Sequence, residues 1–315
     1  MVDITVIGNA VIDVVAYPVT KELFEKGSVA ADSIKVLYGG DALNESVILS
    51  RFGKRVELIS KVGEDGAGKR IINHLSSLGV AAEKVKVDSD LETSVNIVLV
   101  DEYGERHFLT NPKGSQRRLC EDDINVSLER CGKIISFASM FVSPLLDIES
   151  MTRIFKEIKE KNYLLAVDLT RAKNGERLED LKQLLPYIDF IFPNESEIRI
   201  LTGNSDTYQN MKMLLDAGVG CAVIKCGSKG SLIGYKDNIY RIPAYQVNKC
   251  IDTTGAGDSF VAGFLWALSE GWTVLDSSCF ATATASCSVE VIGATEGVCS
   301  LEKALSRYEE IKMAL

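Results

Sequence analysis

The stretch "CIDTTGAGDSF", Cys250 to Phe260, places two carboxylates around a turn of small residues. The apolar run "VAGFLWAL" follows it, which predicts that the turn opens directly onto a buried helix. At the N-terminus of a helix, the backbone N–H groups of Gly255, Ala256 and Gly257 can bind a negatively charged group. We therefore predict that this turn holds a phosphate and stabilises the charge that develops on it.

The carboxylate of Asp258 would repel a phosphate, so it needs a different task. It suits a general base that accepts the proton of a hydroxyl group attacking a phosphoryl group. The alternative is a plain capping turn, in which Asp252 or Thr254 caps the helix. The stretch by itself leaves both interpretations open.

Two further stretches combine polar side chains with a predicted helix start. In "YGGDALNES", Gly40 gives the backbone freedom to turn, and Asp41 and Asn44 are spaced to face one ligand, as hydroxyl recognition requires. In "PNESE", Asn194 and Glu197 are one helical turn apart and can face a hydrated Mg²⁺ ion. For both stretches the alternative is a helix cap with no ligand.

Three other features carry less weight. The segment "GEDGAGKR" (63–70) has the spacing of a phosphate loop, but Arg70 stands where a hydroxyl is needed for Mg²⁺, so a strand–helix connection is predicted. In "DLTR", Asp168 and Arg171 form either an internal salt bridge or a substrate contact. The two histidines, His74 and His107, offer no convincing catalytic or metal-binding pair.

Short apolar runs alternate with helical patterns along the chain, which predicts an α/β fold with a mostly parallel sheet and helices on both sides. We predict strands at 4–8, 56–63, 163–169, 188–194 and 221–227, and helices at 42–53, 68–79, 147–161, 176–185 and 206–217. The hairpin pattern from Thr93 to Asn111 and a strand at 32–40 break the alternation. They predict a small accessory sheet that acts as a lid.

Composition limits the classes of function. The chain has 315 residues, 46% of them hydrophobic, and a net charge of −9, which argues against a nucleic-acid partner. No apolar run approaches the roughly 20 residues of a membrane span, and the N-terminal residues lack a signal-peptide pattern. The eight scattered cysteines are typical of reduced core thiols, so we predict a cytoplasmic protein.

Taken together, these motifs resemble the ribokinase-like (PfkB-type) carbohydrate kinase family over almost the whole chain. "DTTGAGDSF" is similar to the family's C-terminal signature, and "GGDALN" followed by "GEDGAG" to its N-terminal signature. "NESEIRILTG" resembles its Asn-x-x-Glu magnesium element. The resemblance implies one three-layer α/β/α kinase domain over 1–315, with a discontinuous β lid from about 12–38 and 93–112.

The resemblance also implies roles for matching residues. Asp258 would be the catalytic base, and Gly255, Ala256 and Gly257 the anion hole. ATP would be the phosphoryl donor, with Mg²⁺ held through water by Glu197 and a K⁺ ion beside the anion hole. The remaining implied roles are sugar contacts at Asp13, Gly40, Asp41 and Asn44, ATP contacts at Asn194, Lys225, Gly227 and Gly230, and K⁺ contacts at Asp252, Thr254, Ser288, Val291 and Gly293.

Departures from the family pattern put ribose in doubt. Val142 and Ser143 stand where ribokinases carry a glutamate, and Asp41 stands where they usually carry lysine. The predicted function is transfer of the γ-phosphoryl group of ATP to a primary hydroxyl of a small fructose-like or ribose-like sugar. The alternatives are an adenosine-type nucleoside kinase, a ketodeoxygluconate-type sugar-acid kinase and, more distantly, a non-catalytic sugar sensor. The lid further predicts a homodimer formed by two lids, with neither nucleic acid nor membrane as a partner.

Overall fold

The computed structural model describes residues 1–102, 105–236 and 238–315. Its strands fall into a large and a small sheet. They are β1 (Ile4–Ile7), β2 (Val11–Tyr17), β3 (Ser33–Gly39), β4 (Val56–Gly63), β5 (Val85–Asp88), β6 (Val95–Val100), β7 (Arg106–Leu109), β8 (Ile134–Met140), β9 (Leu164–Leu169), β10 (Phe190–Phe192), β11 (Cys221–Lys225), β12 (Ser231–Tyr235) and β13 (Asn238–Ile242).

The large sheet is mostly parallel, as predicted. Its strand order is β13-β12-β11-β10-β9-β8-β1-β4-β5, and every neighbouring pair from β11 to β5 is parallel. At one side of the sheet, β12 pairs antiparallel with β11 and the edge strand β13 pairs antiparallel with β12; neither strand was predicted. Parallel strands end at the same edge of a sheet, so the loops after β9, β10 and β11 are brought together there.

Helices cover both faces of the large sheet. They are α2 (Asp41–Arg51), α3 (Gly66–Ser77), α4 (Glu121–Asn125), α5 (Ile148–Glu160), α6 (Glu195–Thr202), α7 (Thr207–Asp216), α8 (Ala256–Ser269), α9 (Val274–Ser288) and α10 (Leu301–Ala314). The short helix α1 (Glu22–Lys26) instead connects β2 to β3 of the small sheet, and none of its residues is buried. No helix in the described part of the chain is long and apolar enough to cross a membrane.

Alternating side chains of the buried strands build one hydrophobic core on each face. In β4, Leu58 points into the core formed with α2, α3, α8, α9 and α10, whereas Ile59 points into the core formed with α4, α5, α6 and α7. In β11, Val223 and Ile224 divide in the same way. This two-sided burial explains why the strands read as continuous apolar runs, and it confirms the predicted three layers.

The prediction of an α-helix at 176–185 is wrong. The segment contains two short 3₁₀ helices instead, Asp180–Gln183 and Leu185–Tyr187. Leu181, Leu184 and Leu185 are fully buried, so the apolar residues of this segment do face the core, as the predicted helix required. At the end of the segment, Pro186 has no backbone N–H to donate and disfavours the α conformation of Leu185, so an α-helix cannot run through these residues.

The small sheet has the order β3-β2-β6-β7. It contains both predicted segments, and the turn of the predicted hairpin includes residues 103 and 104, which lie outside the described residues. The register of β2, β6 and β7 places Asp13, Asn96 and Phe108 on one face. Arg106 lies on that same face, two residues before Phe108, because side chains alternate along a strand.

Candidate active site

The predicted anion-binding turn immediately precedes α8. Gly255 has a left-handed φ of 69°, and a Cβ atom there would lie 2.2 Å from the carbonyl oxygen of Ala294, so only glycine fits. The N–H of Ala256 donates to the carbonyl oxygen of Thr253 at 3.3 Å, which corrects its predicted place among the free donors. Among the described residues, no acceptor faces the N–H groups of Gly255 and Gly257, so these two can bind an anion.

Lys225 adds a positive charge to this turn. Its Nζ atom lies 3.4 Å from the position that a Cβ on Gly257 would occupy. The same Nζ donates to Oδ1 of Asp168 at 2.6 Å, so the ion-pair partner of Asp168 is Lys225 rather than Arg171. Burial alone would lower the pKa of Lys225, but Asp168 and Glu197 raise it overall, so the ammonium stays charged.

Asp258 lies in the first turn of α8, where Asn44 of α2 holds its carboxylate. The Nδ2 atom of Asn44 donates to Oδ2 of Asp258 at 2.6 Å, which fixes the orientation of the carboxylate. Burial raises the pKa of Asp258 to about 6, while the hydrogen bond from Asn44 opposes the increase. The group is therefore ionised at neutral pH and close to the pKa that suits a general base.

Carboxylates outnumber cations around Asp258. Burial raises the pKa of Asp168, and it raises the pKa of Glu197 to about 7. Burial, together with the nearby charges of Asp258 and Asp168, raises the pKa of Asp41 well above its usual value. Lys225 is the cation that lowers the pKa of all four carboxyl groups. A divalent cation bound among these oxygen atoms would compensate the excess negative charge.

Asn194 and Glu197 form a reciprocal cap on α6. The N–H of Glu197 donates to Oδ1 of Asn194 at 2.9 Å, and the N–H of Asn194 donates to Oε2 of Glu197 at 2.8 Å. The capping interpretation that the sequence left open is therefore confirmed. Both residues also line the cavity that contains Asp258, so the cap and a water-mediated metal contact are compatible.

The predicted sugar contacts come from two elements. Gly40 precedes α2 with a φ of 97°, and a Cβ atom there would lie 2.5 Å from the carbonyl oxygen of Asn9. Asp13, on β2, accepts a hydrogen bond from Nδ2 of Asn96 at 2.9 Å. Sequence reasoning missed Asn96, although the alternating hairpin pattern places it on a predictable face of β6.

The predicted cation loop packs against the anion-binding turn. Oδ1 of Asp252 accepts from the N–H of Thr254 at 2.9 Å, and Oδ2 accepts from the N–H of Gly293 at 2.9 Å. Ser288 is the last residue of α9, and the N–H of Val291 donates back to its carbonyl oxygen at 3.4 Å. The fold thus brings the predicted cation-loop residues into one region.

A cavity of about 580 Å³ lies over the turn at the ends of β9, β10 and β11. Gly230, the residue before β12, lies on the wall of this cavity. A Cβ atom at Gly230 would lie 2.0 Å from the carbonyl oxygen of Ile242, so the wall is closely packed there. Sequence reasoning missed the cavity wall formed by residues 244–247 and the end of α9. The predicted residues that line this cavity are Asp41, Asn194, Glu197, Lys225, Gly227, Gly230, Ala256, Gly257 and Asp258.

Comparison with known proteins places this chain in a family. The model of the pfkB family carbohydrate kinases matches residues 1–300. The chain is 28% identical to a deoxyribokinase of Salmonella typhi, over 83% of this chain and 84% of that protein. It is 26% identical to a nucleoside kinase of Methanocaldococcus jannaschii, over 98% of both chains.

The fold has a close counterpart in a solved structure. The structure of Arabidopsis thaliana ribokinase complexed with ribose and ATP superposes with a TM-score of 0.83 at 24% identity, covering 98% of this chain and 99% of the other. The chain has a ribokinase-like fold and belongs to the pfkB family of carbohydrate kinases. It is therefore a phosphotransferase with a hydroxyl group as acceptor.

Proposed function

We propose that this chain is an ATP-dependent sugar kinase that transfers the γ-phosphoryl group to a primary hydroxyl of a small sugar. The observation that carries the proposal is the position of Asp258. Its carboxylate is ionised at neutral pH, is oriented by Asn44, and lies in the helical turn that also offers the N–H groups of Gly255 and Gly257. Base and anion-binding donors are thus held by one rigid element.

In this mechanism Asp258 accepts the proton of the attacking hydroxyl while the anion-binding turn faces the transferred group. The Lys225 ammonium stabilises the negative charge on the phosphoryl oxygens. Asp13 and Asn44 bind the sugar hydroxyls, and Asp41 lies close enough to Asp258 to join them. Because phosphoryl transfer depends on alignment and charge stabilisation, the fixed positions of these groups supply most of the catalysis.

ATP and Mg²⁺ fit the residues of the cavity. The excess of carboxylates around Lys225 suits a hard divalent cation, and Glu197 would hold it through water. Asn194, Lys225, Gly227 and Gly230 lie on the wall where the nucleotide phosphates would approach. When bound, the magnesium ion neutralises negative charge on the phosphates of the nucleotide.

The choice of sugar is tested with a panel of neutral pentoses and ketoses, sugar acids and nucleosides, measuring ADP release with ATP and Mg²⁺. We expect turnover with a neutral ketose or pentose, because an anionic group beside Asp41 would add to the negative charge of a cluster in which carboxylates already outnumber cations. Turnover of ketodeoxygluconate with no neutral sugar accepted would contradict this choice. The absence of turnover with every compound would contradict the proposed choice of acceptor.

A nucleoside acceptor is a second candidate, favoured by the position of Phe108. This ring lies on the face of the small sheet that carries Asp13, where it could stack on a base. The other aromatic candidates are occupied: the ring of Tyr38 stacks on His74 at 3.7 Å, and Phe141 is buried. If nucleosides are the acceptors, the variant Phe108→Ala will raise their KM selectively.

The rate of the reaction should fall in mild acid. Protonation removes the base function of Asp258, whose pKa is raised to about 6, so activity present at neutral pH is lost as the pH falls through that value. We expect kcat/KM for the sugar to decrease about tenfold per pH unit well below the pKa of Asp258. Measurement between pH 5 and 8.5 with saturating ATP and Mg²⁺ checks this; a flat profile down to pH 5 would contradict it.

A monovalent cation should activate the enzyme. The Oδ2 atom of Asp252, which accepts from the N–H of Gly293 and keeps a free lone pair, and the carbonyl groups of the loop after α9 are hard oxygen donors. The contact of Ala294 with Gly255 joins that loop to the turn. Ser288, Val291 and Gly293 complete the proposed K⁺ site. We expect a higher kcat in KCl than in NaCl at equal ionic strength. Equal rates in the two salts would exclude the cation site.

The small sheet should form a homodimer interface. The face of the small sheet that points away from Asp13 carries three exposed apolar side chains, Val36, Ile97 and Leu109. They are neighbours across the four strands, because Val14 pairs with both Val36 and Ile97, and Ile97 pairs with Leu109. Such an apolar patch on a small sheet favours pairing with a second copy. Light scattering at micromolar concentration should give a dimer mass, and Ile97→Lys should give a monomer.

The matched control for that variant is Val126→Lys, since Val126 is also exposed and apolar but lies at the end of α4, away from the small sheet. It should leave the dimer intact. A monomeric mass for the unmodified chain would contradict the prediction. The cytoplasmic location stays a prediction.

A further inference from the structure

Arg106 links the small sheet to the anion-binding turn. It is the first residue of β7, and its Nη2 atom donates to Oδ1 of Asp252 at 2.5 Å. The side chain of Asp252 is only 7% exposed and that of Arg106 is 26% exposed, so this ion pair is largely screened from water. Removing one partner of such a pair costs more than it does on the open surface, because the other charge is left buried and unpaired.

Asp252 is already a junction in the fold. Its Oδ1 accepts from both the N–H and the hydroxyl of Thr254, at 2.9 Å and 2.7 Å, and its Oδ2 accepts from the N–H of Gly293. Thr254 is the residue before Gly255, so the carboxylate holds the backbone on which the anion-binding turn is built. Any group that fixes Asp252 also fixes this turn.

Arg106 faces the acceptor side of the molecule. It lies on the same face of the small sheet as Asp13, which the proposed function places against the sugar. Burial raises the pKa of the Asp13 carboxyl, whereas the hydrogen bond from Asn96 and the nearby Arg106 guanidinium lower it. One guanidinium therefore lies close to a carboxylate of the sugar site and binds a carboxylate of the anion-binding region.

We propose that Arg106 is a positioning residue that ties the small sheet, when it lies over the acceptor, to the turn that binds the transferred phosphoryl group. With the tie in place, the acceptor is covered and the turn is ordered at the same time. The residue touches neither reacting atom and acts through Asp252. The role in catalysis rests on the proposed kinase function, while the tie itself does not.

The test is the variant Arg106→Gln, compared with Arg106→Lys. We expect Arg106→Gln to lower kcat and raise the KM for the sugar, with a combined loss in kcat/KM of about 5–150-fold, the usual range of coupling between two sites. The KM for ATP should stay within about twofold, as expected for a site that the variant does not touch. Arg106→Lys should restore part of the loss because it keeps the charge but loses the planar donor pair.

Two controls separate the tie from a general effect of charge or stability. Lys35→Gln removes another cation of the small sheet, at an exposed position outside the described ion pairs, and should leave the kinetics unchanged. The double variant with Asp252→Asn should be no worse than Asp252→Asn alone, since Arg106 acts through that carboxylate. Additive losses, or an equal loss in Lys35→Gln, would overturn the proposal.

Hydrogen exchange without substrates gives a readout independent of activity. In Arg106→Gln, amides of 95–100, 106–109 and 250–258 should exchange faster together, while those of 221–225 keep their protection. Unchanged exchange in 250–258 would overturn the tie. If the unmodified chain phosphorylates no acceptor, the kinase function fails, but this exchange experiment still decides whether Arg106 orders the turn.

Discussion

Replacing Asp258 with asparagine should lower kcat by about 10²–10⁴-fold, the typical contribution of a general base. Asparagine keeps the size of the side chain but cannot accept the proton of the attacking hydroxyl. The nucleotide is proposed to contact the ends of β10 and β11 around Asn194 and Gly227, so the KM for ATP should change little. Steady-state rates at pH 7.5, where Asp258 is ionised, provide the measurement.

The matched control for this variant is Asp276→Asn. Asp276 occupies the same position in the first turn of α9 that Asp258 occupies in α8, and its partners are Lys312 and Tyr308 of α10. The part of α9 that lines the cavity is its other half, so Asp276 lies away from the cavity. Its replacement can lower stability while leaving kcat unchanged. If Asp258→Asn kept more than about a tenth of the wild-type kcat, short of the usual loss of a general base, Asp258 would not be the base.

The sequence predicted the site best where its residues lie on one continuous motif. The turn at Gly255, the helix that follows it and the ends of β10 and β11 are all local patterns, and parallel strands bring such ends together at one edge. For Asn194 and Glu197, a helix cap and a contact with hydrated Mg²⁺ were left as alternatives, although Asn-x-x-Glu before an apolar run is itself a capping signature.

Residues whose partners lie far away in the sequence were harder to predict. Arg106 and Asp252 are separated by 146 positions, and Lys225 and Asp168 by 57, so no local spacing indicates either ion pair. In "DLTR" the sequence analysis considered only the nearby Arg171 as an ion-pair partner of Asp168. The strand order of the folded sheet, with β9 and β11 flanking β10, brings Lys225 to Asp168 instead.

The pKa values also depend on the folded arrangement. Asp258 lies at the N-terminus of a helix, where the helix dipole favours the ionised form and the sequence predicts a low pKa. Burial and the neighbouring carboxylate of Asp168 outweigh that effect and raise the pKa to about 6. The prediction that Asp258 is ionised at neutral pH still holds, but with a smaller margin than the helix position suggests.

Replacing Gly255 with alanine should lower kcat by at least about 10²-fold, the usual loss when one donor to a developing negative charge is removed. The new Cβ atom would lie 2.2 Å from the carbonyl oxygen of Ala294, so the backbone of the turn or of the loop after α9 must move. Either movement displaces the N–H groups of Gly255 and Gly257 from the transferred group. Steady-state kinetics with saturating sugar and ATP measure the loss.

Gly271→Ala is the matched control, because Gly271 follows the same helix with a φ of 81°, and apart from its chain neighbours no atom of the described residues lies within 4 Å of the position of its Cβ. Both variants carry the cost of a left-handed residue, about 1–2 kcal/mol, and both should therefore melt at a lower temperature than the unmodified chain. Only Gly255→Ala should lose activity, because only this variant displaces the turn that binds the transferred phosphoryl group. If the two variants were equally active, the N–H groups before α8 would not stabilise the transferred phosphoryl group, and Lys225 would be the main source of that stabilisation.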